Sequence, residues 1–293
     1  MFIATLIAAD RLSAGDISLA RDALAGAGIE SGEAAWIEPD KAADLPFSFK
    51  LASARGAVAG LIDGVDIVLQ PRAHRTKKLL VADMDSTMIT VECLDELADY
   101  AGFKPQVETI TQMAMRGEVD FASALAERVL LLKGLEADII TRCYDDRVSI
   151  SPGAIPLVRT MRASGARCVL VSGGFTLFAE RVGQEIGFDR VIANHLDIDS
   201  NSLSGTVSPP IVDGAAKEAM LREEAAILGL DETDTMAIGD GANDIAMIKA
   251  AGLGVAYRAK PKTQTAADAR LDHGDLSALL YAQGYARKDW IED

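Results

Sequence analysis

Histidine and cysteine are scarce in this chain, three of each in 293 residues, and the scarcity removes whole classes of chemistry. Cys93, Cys143 and Cys168 are an odd number without metal-ligand spacing, and none opens a Cys-x5-Arg loop. They read as reduced thiols, with Cys168 inside a buried strand. His74, His195 and His273 fall outside every motif described below. Covalent catalysis by a cysteine or a histidine is therefore not expected.

Basic residues are also in the minority. The 29 Lys and Arg stand against 44 Asp and Glu, for a net charge of -15 and a pI near 4.7. Nucleic-acid backbones are held by clustered Lys and Arg, so no nucleic-acid partner is expected. An anionic ligand would have to meet a local positive site. No apolar run approaches the roughly 20 residues that span a bilayer. Residues 1–7 lack the basic flank of a signal peptide. The expectation is a cytoplasmic protein without a membrane partner. With 49% hydrophobic and 25% charged residues the chain can bury a sizeable core, and its length favours two domains.

Residues 1–70 read as strand, helix, strand, helix, strand, over 2–8, 17–27, 34–37, 52–61 and 65–69. Apolar groups at Ile17, Ala20, Leu24 and Ala27 mark the buried face of the helix. This predicts a small N-terminal α+β domain. Two roles stand open for it: an ACT-like amino-acid-binding regulatory unit, and a structural or dimerising appendage. A homodimer is left open with it. The basic run 71–78, Pro-Arg-Ala-His-Arg-Thr-Lys-Lys, reads as a solvated linker. From 77 to 293 the pattern predicts an α/β domain with a helix-rich insertion at about 92–148. Past the insertion strands alternate with helices to near Tyr257. Such alternation builds a parallel sheet whose crevice lies at the carboxyl ends of the strands.

Three apolar runs end in polar clusters. Leu79-Leu80-Val81-Ala82 leads into Asp83-Met84-Asp85-Ser86-Thr87. Cys168-Val169-Leu170-Val171 leads into Ser172-Gly173-Gly174, and Thr235-Met236-Ala237-Ile238 into Gly239-Asp240-Gly241-Ala242-Asn243-Asp244. In extended chain Asp83, Asp85 and Thr87 would share one face. Alone, Asp-x-Asp-x-Thr is an ordinary polar turn. The repetition at several strand ends, with Lys217 opening a helical stretch after Asp213-Gly214, argues for a shared site. The pair Gly239-x-Gly241 is no dinucleotide fingerprint, because the third glycine position holds Asp244. Four carboxylates meeting in a crevice would repel one another, a pair at about 4 Å by roughly 4 kcal/mol at an effective dielectric of about 20. A hard divalent cation with oxygen ligands resolves that repulsion.

Residues 83–87, Ser172, Lys217 and 239–244, taken in order, resemble the four motifs of the haloacid dehalogenase superfamily of phosphohydrolases, over roughly residues 77–257. Within it, residues 114–121 and 128–132 are similar to the cap of the phosphoserine phosphatases. That resemblance implies a Rossmannoid parallel sheet with a helical cap and Mg²⁺ as cofactor. It implies Asp83 as nucleophile, Asp85 as acid and base, and Ser172, Lys217 and the Gly173 and Gly174 amides on the phosphoryl oxygens. Asp83 and Asp240 would bind the metal by side chain, Asp85 by its backbone carbonyl, and Asp244 closely or through water. Asn243 would orient Asp240 or the lysine.

The helical spacing of Phe121, Leu125, Arg128 and Leu132 places a guanidinium on an apolar stripe, as either a snorkelling side chain or a carboxylate partner. Glu92 is either a helix-start acid or a ligand for an ammonium. The resemblance implies that Arg128 grips the substrate carboxylate and Glu92 its ammonium, with Met115 and Phe121 covering the apolar side. It implies L-phosphoserine as the small-molecule partner and the last step of serine biosynthesis as the role. Another small phosphomonoester such as phosphohomoserine is the alternative.

Overall fold

A computed structural model describes residues 1–115 and 118–292. Arg116 and Gly117, expected in the cap, lie outside the described residues, as does the side chain of Met115. The chain opens with β1 (Phe2–Ala8), α1 (Ala14–Gly26), β2 (Ala35–Glu38), β3 (Ala42–Phe47), α2 (Leu51–Val58) and β4 (Val65–Pro71). Its sheet has the order β2-β3-β1-β4 with antiparallel neighbours, a βαββαβ split arrangement. Ser13 and Asp16 form a capping box that starts α1, and Ile17, Ala20 and Leu24 are its buried face.

Strand β3 was not expected, because Asp44 and Pro46 interrupt the strand pattern. The Pro46 carbonyl accepts from Gly32 N at 2.8 Å, so the missing N–H falls on the side away from β1. Asp44 is matched as well, accepting from Thr5 Oγ1 at 2.8 Å on the neighbouring strand.

After β5 (Leu79–Ala82) come four helices, α3 (Cys93–Tyr100), α4 (Lys104–Met115), α5 (Phe121–Leu130) and α6 (Asp138–Arg147). The chain continues through α7 (Ala154–Ala163), β6 (Arg167–Phe175), α8 (Thr176–Ile186), β7 (Arg190–Asp199), β8 (Ser202–Ser208), α9 (Gly214–Leu228) and β9 (Thr235–Gly239). It closes with α10 (Ile245–Ala250), β10 (Leu253–Tyr257), α11 (Pro261–Ala266), β11 (Ala269–Leu271) and α12 (Ala278–Gln283). The second sheet runs β11-β10-β9-β5-β6-β7-β8 and is parallel except for the β7–β8 hairpin. The expected α/β class is therefore present.

Leu80, Ala82, Leu170 and Ile238 pack on one face of this sheet, and Leu79, Val81, Val169 and Ala237 on the other. Both faces are covered, which is why the strands read as unbroken apolar runs. The hairpin departs from the expected alternation. Ser200 and Asn201 take φ of 48° and 65° there and turn the chain straight back, where a helix would have crossed.

The basic run is not a solvated linker. Lys77 is buried, donates from Nζ to the Thr233 carbonyl at 2.8 Å, and is pushed down to about 8 by burial. Arg75 pairs with Asp44 at 2.6 Å and donates to the carbonyls of Tyr281 and Ala282. Asp66 on β4 accepts from the amides of Asp272, His273 and Gly274, just past β11. The run thus carries partners that tie the two sheets together.

Candidate active site

Three neighbouring strands, β9, β5 and β6, end side by side at the carboxyl edge of the large sheet and bring Asp240, Asp83 and Ser172 to one place. Asp83 N continues the ladder to the Ile238 carbonyl at 2.9 Å. Asp83 and Asp85 are extended on either side of Met84, where a short helical element begins, and Ser86 turns left-handed with φ 53°. Asp83 and Asp85 consequently line a common cavity of about 330 Å³. Thr87, expected beside them, is buried, and among the described residues its hydroxyl has no hydrogen-bond partner. The kinked helical element Met84–Met88 ends the alternation on which that expectation rested.

Lys217 lies one turn into α9, whose first turn is capped by Asp213 accepting from Ala216 N at 2.9 Å. Wholly buried, its Nζ donates to Asp83 Oδ1 at 2.5 Å and to Asp244 Oδ1 at 2.7 Å. Burial alone would lower the lysine, but Asp244 and Asp83 outweigh it and hold the ammonium charged. The Asp83 carboxyl is pushed well up by burial and by Asp244, against the pull of Lys217. Oxygens of Asp83, Asp240 and Asp244 lie within 4.8 Å of one another, a hard donor set that fits a divalent cation. Asp244 reaches this position because residue 239 is glycine. A Cβ there would fall 2.4 Å from the Asp244 carboxyl carbon. Asp240 is raised to about 7 by burial, then by Glu92 and Asp244.

Asp85 stands apart from that trio. Its carboxylate accepts from Cys93 N at 2.8 Å and from Ser172 Oγ at 3.2 Å, and burial, then Glu92, lifts it to about 6. Gly174 N donates to Ser172 Oγ at 2.9 Å. A Cβ on Gly174 would sit 2.8 Å from Asp85 Oδ2, so only glycine permits this approach.

From the helical segment Glu92, Phe121 and Arg128 line the same cavity, together with Gly173, Gly174 and Asn243. Ser86 Oγ donates to Glu92 at 2.7 Å. Arg128 donates from Nε to the Ala124 carbonyl at 3.1 Å and from Nη1 to Thr111 at 3.5 Å, and burial lowers it. Among the described residues Asn243 makes no hydrogen bond to Asp240 or Lys217.

Sequence reasoning missed Lys260, 3.9 Å from Asp240 Oδ2, and Thr111, both on the cavity wall. Lys260 follows the end of β10 and was open to the same strand-end argument. Thr111 carries no sequence signal beyond a helical pattern.

A family model for haloacid dehalogenase-like hydrolases matches residues 80–249. The chain belongs to this family. It is 45% identical over 210 residues to a probable phosphoserine phosphatase of Schizosaccharomyces pombe, covering 71% of this chain and 70% of that protein. It is 41% identical to the phosphoserine phosphatase of Archaeoglobus fulgidus, across 74% of this chain and 63% of that protein. A HAD family hydrolase of Salmonella enterica serovar Typhi matches with a TM-score of 0.81 at 26% identity, over 96% of this chain and 98% of that one. The likeness to that hydrolase extends across both sheets. Among the described residues no helix is long and apolar enough to cross a membrane.

Proposed function

We propose that this chain is a cytoplasmic, Mg²⁺-dependent phosphoserine phosphatase, converting L-phosphoserine to L-serine and phosphate in the last step of serine biosynthesis. The observation that carries the reading is one cavity holding two kinds of equipment. Asp83 and Asp240 on the wall, backed by the buried Lys217 and Asp244, suit a phosphoryl group, while Glu92 and Arg128 offer opposite charges to a zwitterion. The names of the relatives from S. pombe and A. fulgidus support the same substrate.

Lys217 and the Met84 amide both hold Asp83 Oδ1, which fixes the carboxylate for attack on phosphorus. The new O–P bond forms as the bond to the serine oxygen breaks. Asp85, protonated in this step, gives its proton to the departing alkoxide, then takes one from the water that hydrolyses the aspartyl-phosphate. A value near 6 suits a group that must both give and take a proton near neutrality. Mg²⁺ held by Asp83, Asp240 and Asp244 would supply charge neutralisation at the phosphoryl oxygens. Ser172, Lys217 and the amides of Gly173 and Gly174 add donors there. The carboxylate of the substrate would meet Arg128 and its ammonium Glu92. Residues 77–293 would form the catalytic domain, capped by about 92–148, and residues 1–70 a separate unit.

Phosphate release from L-phosphoserine, with and without Mg²⁺, tests the reading. We expect hydrolysis only with the metal, and its loss by at least about 10⁴-fold in Asp83→Asn. Turnover that survives Asp83→Asn unchanged refutes the mechanism. Indifference to phosphoserine beside active hydrolysis of phosphohomoserine refutes the substrate.

A further inference from the structure

Asn194 on β7 belongs to no motif, yet it is fully buried next to the site. Its Nδ2 donates to the Gly173 carbonyl at 2.8 Å and to the Val212 carbonyl at 3.4 Å, and its Oδ1 accepts from Val212 N at 2.7 Å. A single amide therefore meets backbone groups of two segments. Gly173 follows Ser172 in β6. Val212 precedes Asp213, the residue that caps the helix carrying Lys217.

Sheet hydrogen bonding does not hold these groups in its place. The β6–β7 register slips between Val171 and Phe175, so regular pairing lapses where the glycines turn toward the cavity. Gly173 is also confined by packing. A Cβ there would meet Phe121 at 3.2 Å and the Val212 carbonyl at 3.7 Å, so the two segments are in close contact. Asn194 is the polar link across that contact.

We propose that Asn194 is a positioning residue that sets the Ser172-Gly173-Gly174 segment at a fixed separation from the Lys217 ammonium, so that both address one phosphoryl group. This rests on the phosphatase reading above. An amide is the side chain that suits the task, since it offers one acceptor to Val212 N and donors to two carbonyls from a single plane. Truncation frees both segments at once. Donors aimed at a transferring phosphoryl group lose their effect when displaced by a fraction of an ångström.

The test compares Asn194→Ala and Asn194→Asp with Gln283→Ala. Gln283 is another buried amide that joins two backbone segments, accepting from Lys77 N and donating to the Leu279 carbonyl, but far from the cavity. Steady-state rates with L-phosphoserine, inhibition by orthovanadate and melting temperature are measured for each. In Asn194→Ala we expect kcat to fall about 10²-fold, vanadate to bind more weakly by a similar factor, and KM to move less than about threefold. Gln283→Ala should lose melting temperature with an unchanged kcat. Asn194→Asp keeps the shape and the acceptor but loses the donors, and serves if the alanine variant does not fold. It should show the same loss in kcat. Folded Asn194 variants whose kcat and vanadate inhibition match Gln283→Ala overturn the proposal. A wild-type protein that releases no phosphate from phosphoserine overturns the substrate reading instead, and vanadate binding still compares the variants.

Discussion

On the phosphatase reading Arg128 and Glu92 would divide the labour of recognition, two side chains that a sequence could also explain as a snorkelling cation and a helix-start acid. Both face the cavity, where Arg128 donates to Thr111 and Glu92 accepts from Ser86. A charge-assisted hydrogen bond contributes about 1.5–3 kcal/mol, so Arg128→Ala is expected to raise KM for phosphoserine about tenfold to a hundredfold. A phosphomonoester without a carboxylate should be hydrolysed as before, and equal losses on both substrates would remove Arg128 from recognition. The carboxylates carry a pH signature of their own. Burial, followed by Glu92, lifts Asp85 to about 6 and Asp240 to about 7, whereas both start from 3.8 as free side chains. The folded state then holds more protons than the unfolded one, so their contribution to stability is complete below about pH 4 and is lost as pH rises through 6 and 7. The melting temperature of the metal-free protein should fall between about pH 5 and pH 8, and Mg²⁺ should raise it most at the alkaline end. Asp240→Asn should flatten that slope. An unaltered slope would mean the protons are held elsewhere.

At the level of elements, the polar groups gathered at the cavity depend on where a few short segments start and stop. Asp213 caps α9, and Asp213→Ala should cost about 1 kcal/mol in urea unfolding. Because Lys217 stands one turn beyond the cap, kcat should fall further than that loss of stability accounts for. A drop in stability with kcat intact would separate cap from catalysis. Strand ends of this kind were legible in the sequence, since an unbroken apolar run followed by Asp, Ser or Gly marks a buried parallel strand reaching its functional edge. Asp83, Asp85, Ser172 and Asp240 were all within reach of that rule. Thr87 was not, because alternation holds only in extended chain, and the short helical element Met84–Met88 with its left-handed Ser86 ends it. Strand β3 escaped because its proline and aspartate are satisfied by Gly32 and Thr5, partners that no local pattern contains. Asn194 escaped for the same reason, being defined by contacts to residues 18 to 21 positions away.

For the molecule as a whole, the small sheet is fastened to the large one by Arg75 with Asp44, by Arg55 with Asp268, and by Gln70 donating to the Ala282 carbonyl. The basic run 71–78 shows how composition misleads at this scale, since charge suggested solvent while the partners lay far along the chain. Strand β4 packs against β11, and the Asp66 carboxylate takes up the amides that follow β11. Both are outermost strands of their sheets. Each therefore shields a margin that would otherwise offer unpaired backbone to a neighbouring molecule. Without residues 1–70 the phosphatase chemistry should persist, since none of its groups comes from that unit. What such a truncated protein should lose is the ability to stay apart from its own kind, seen as light scattering that grows with concentration while dilute samples still turn over substrate.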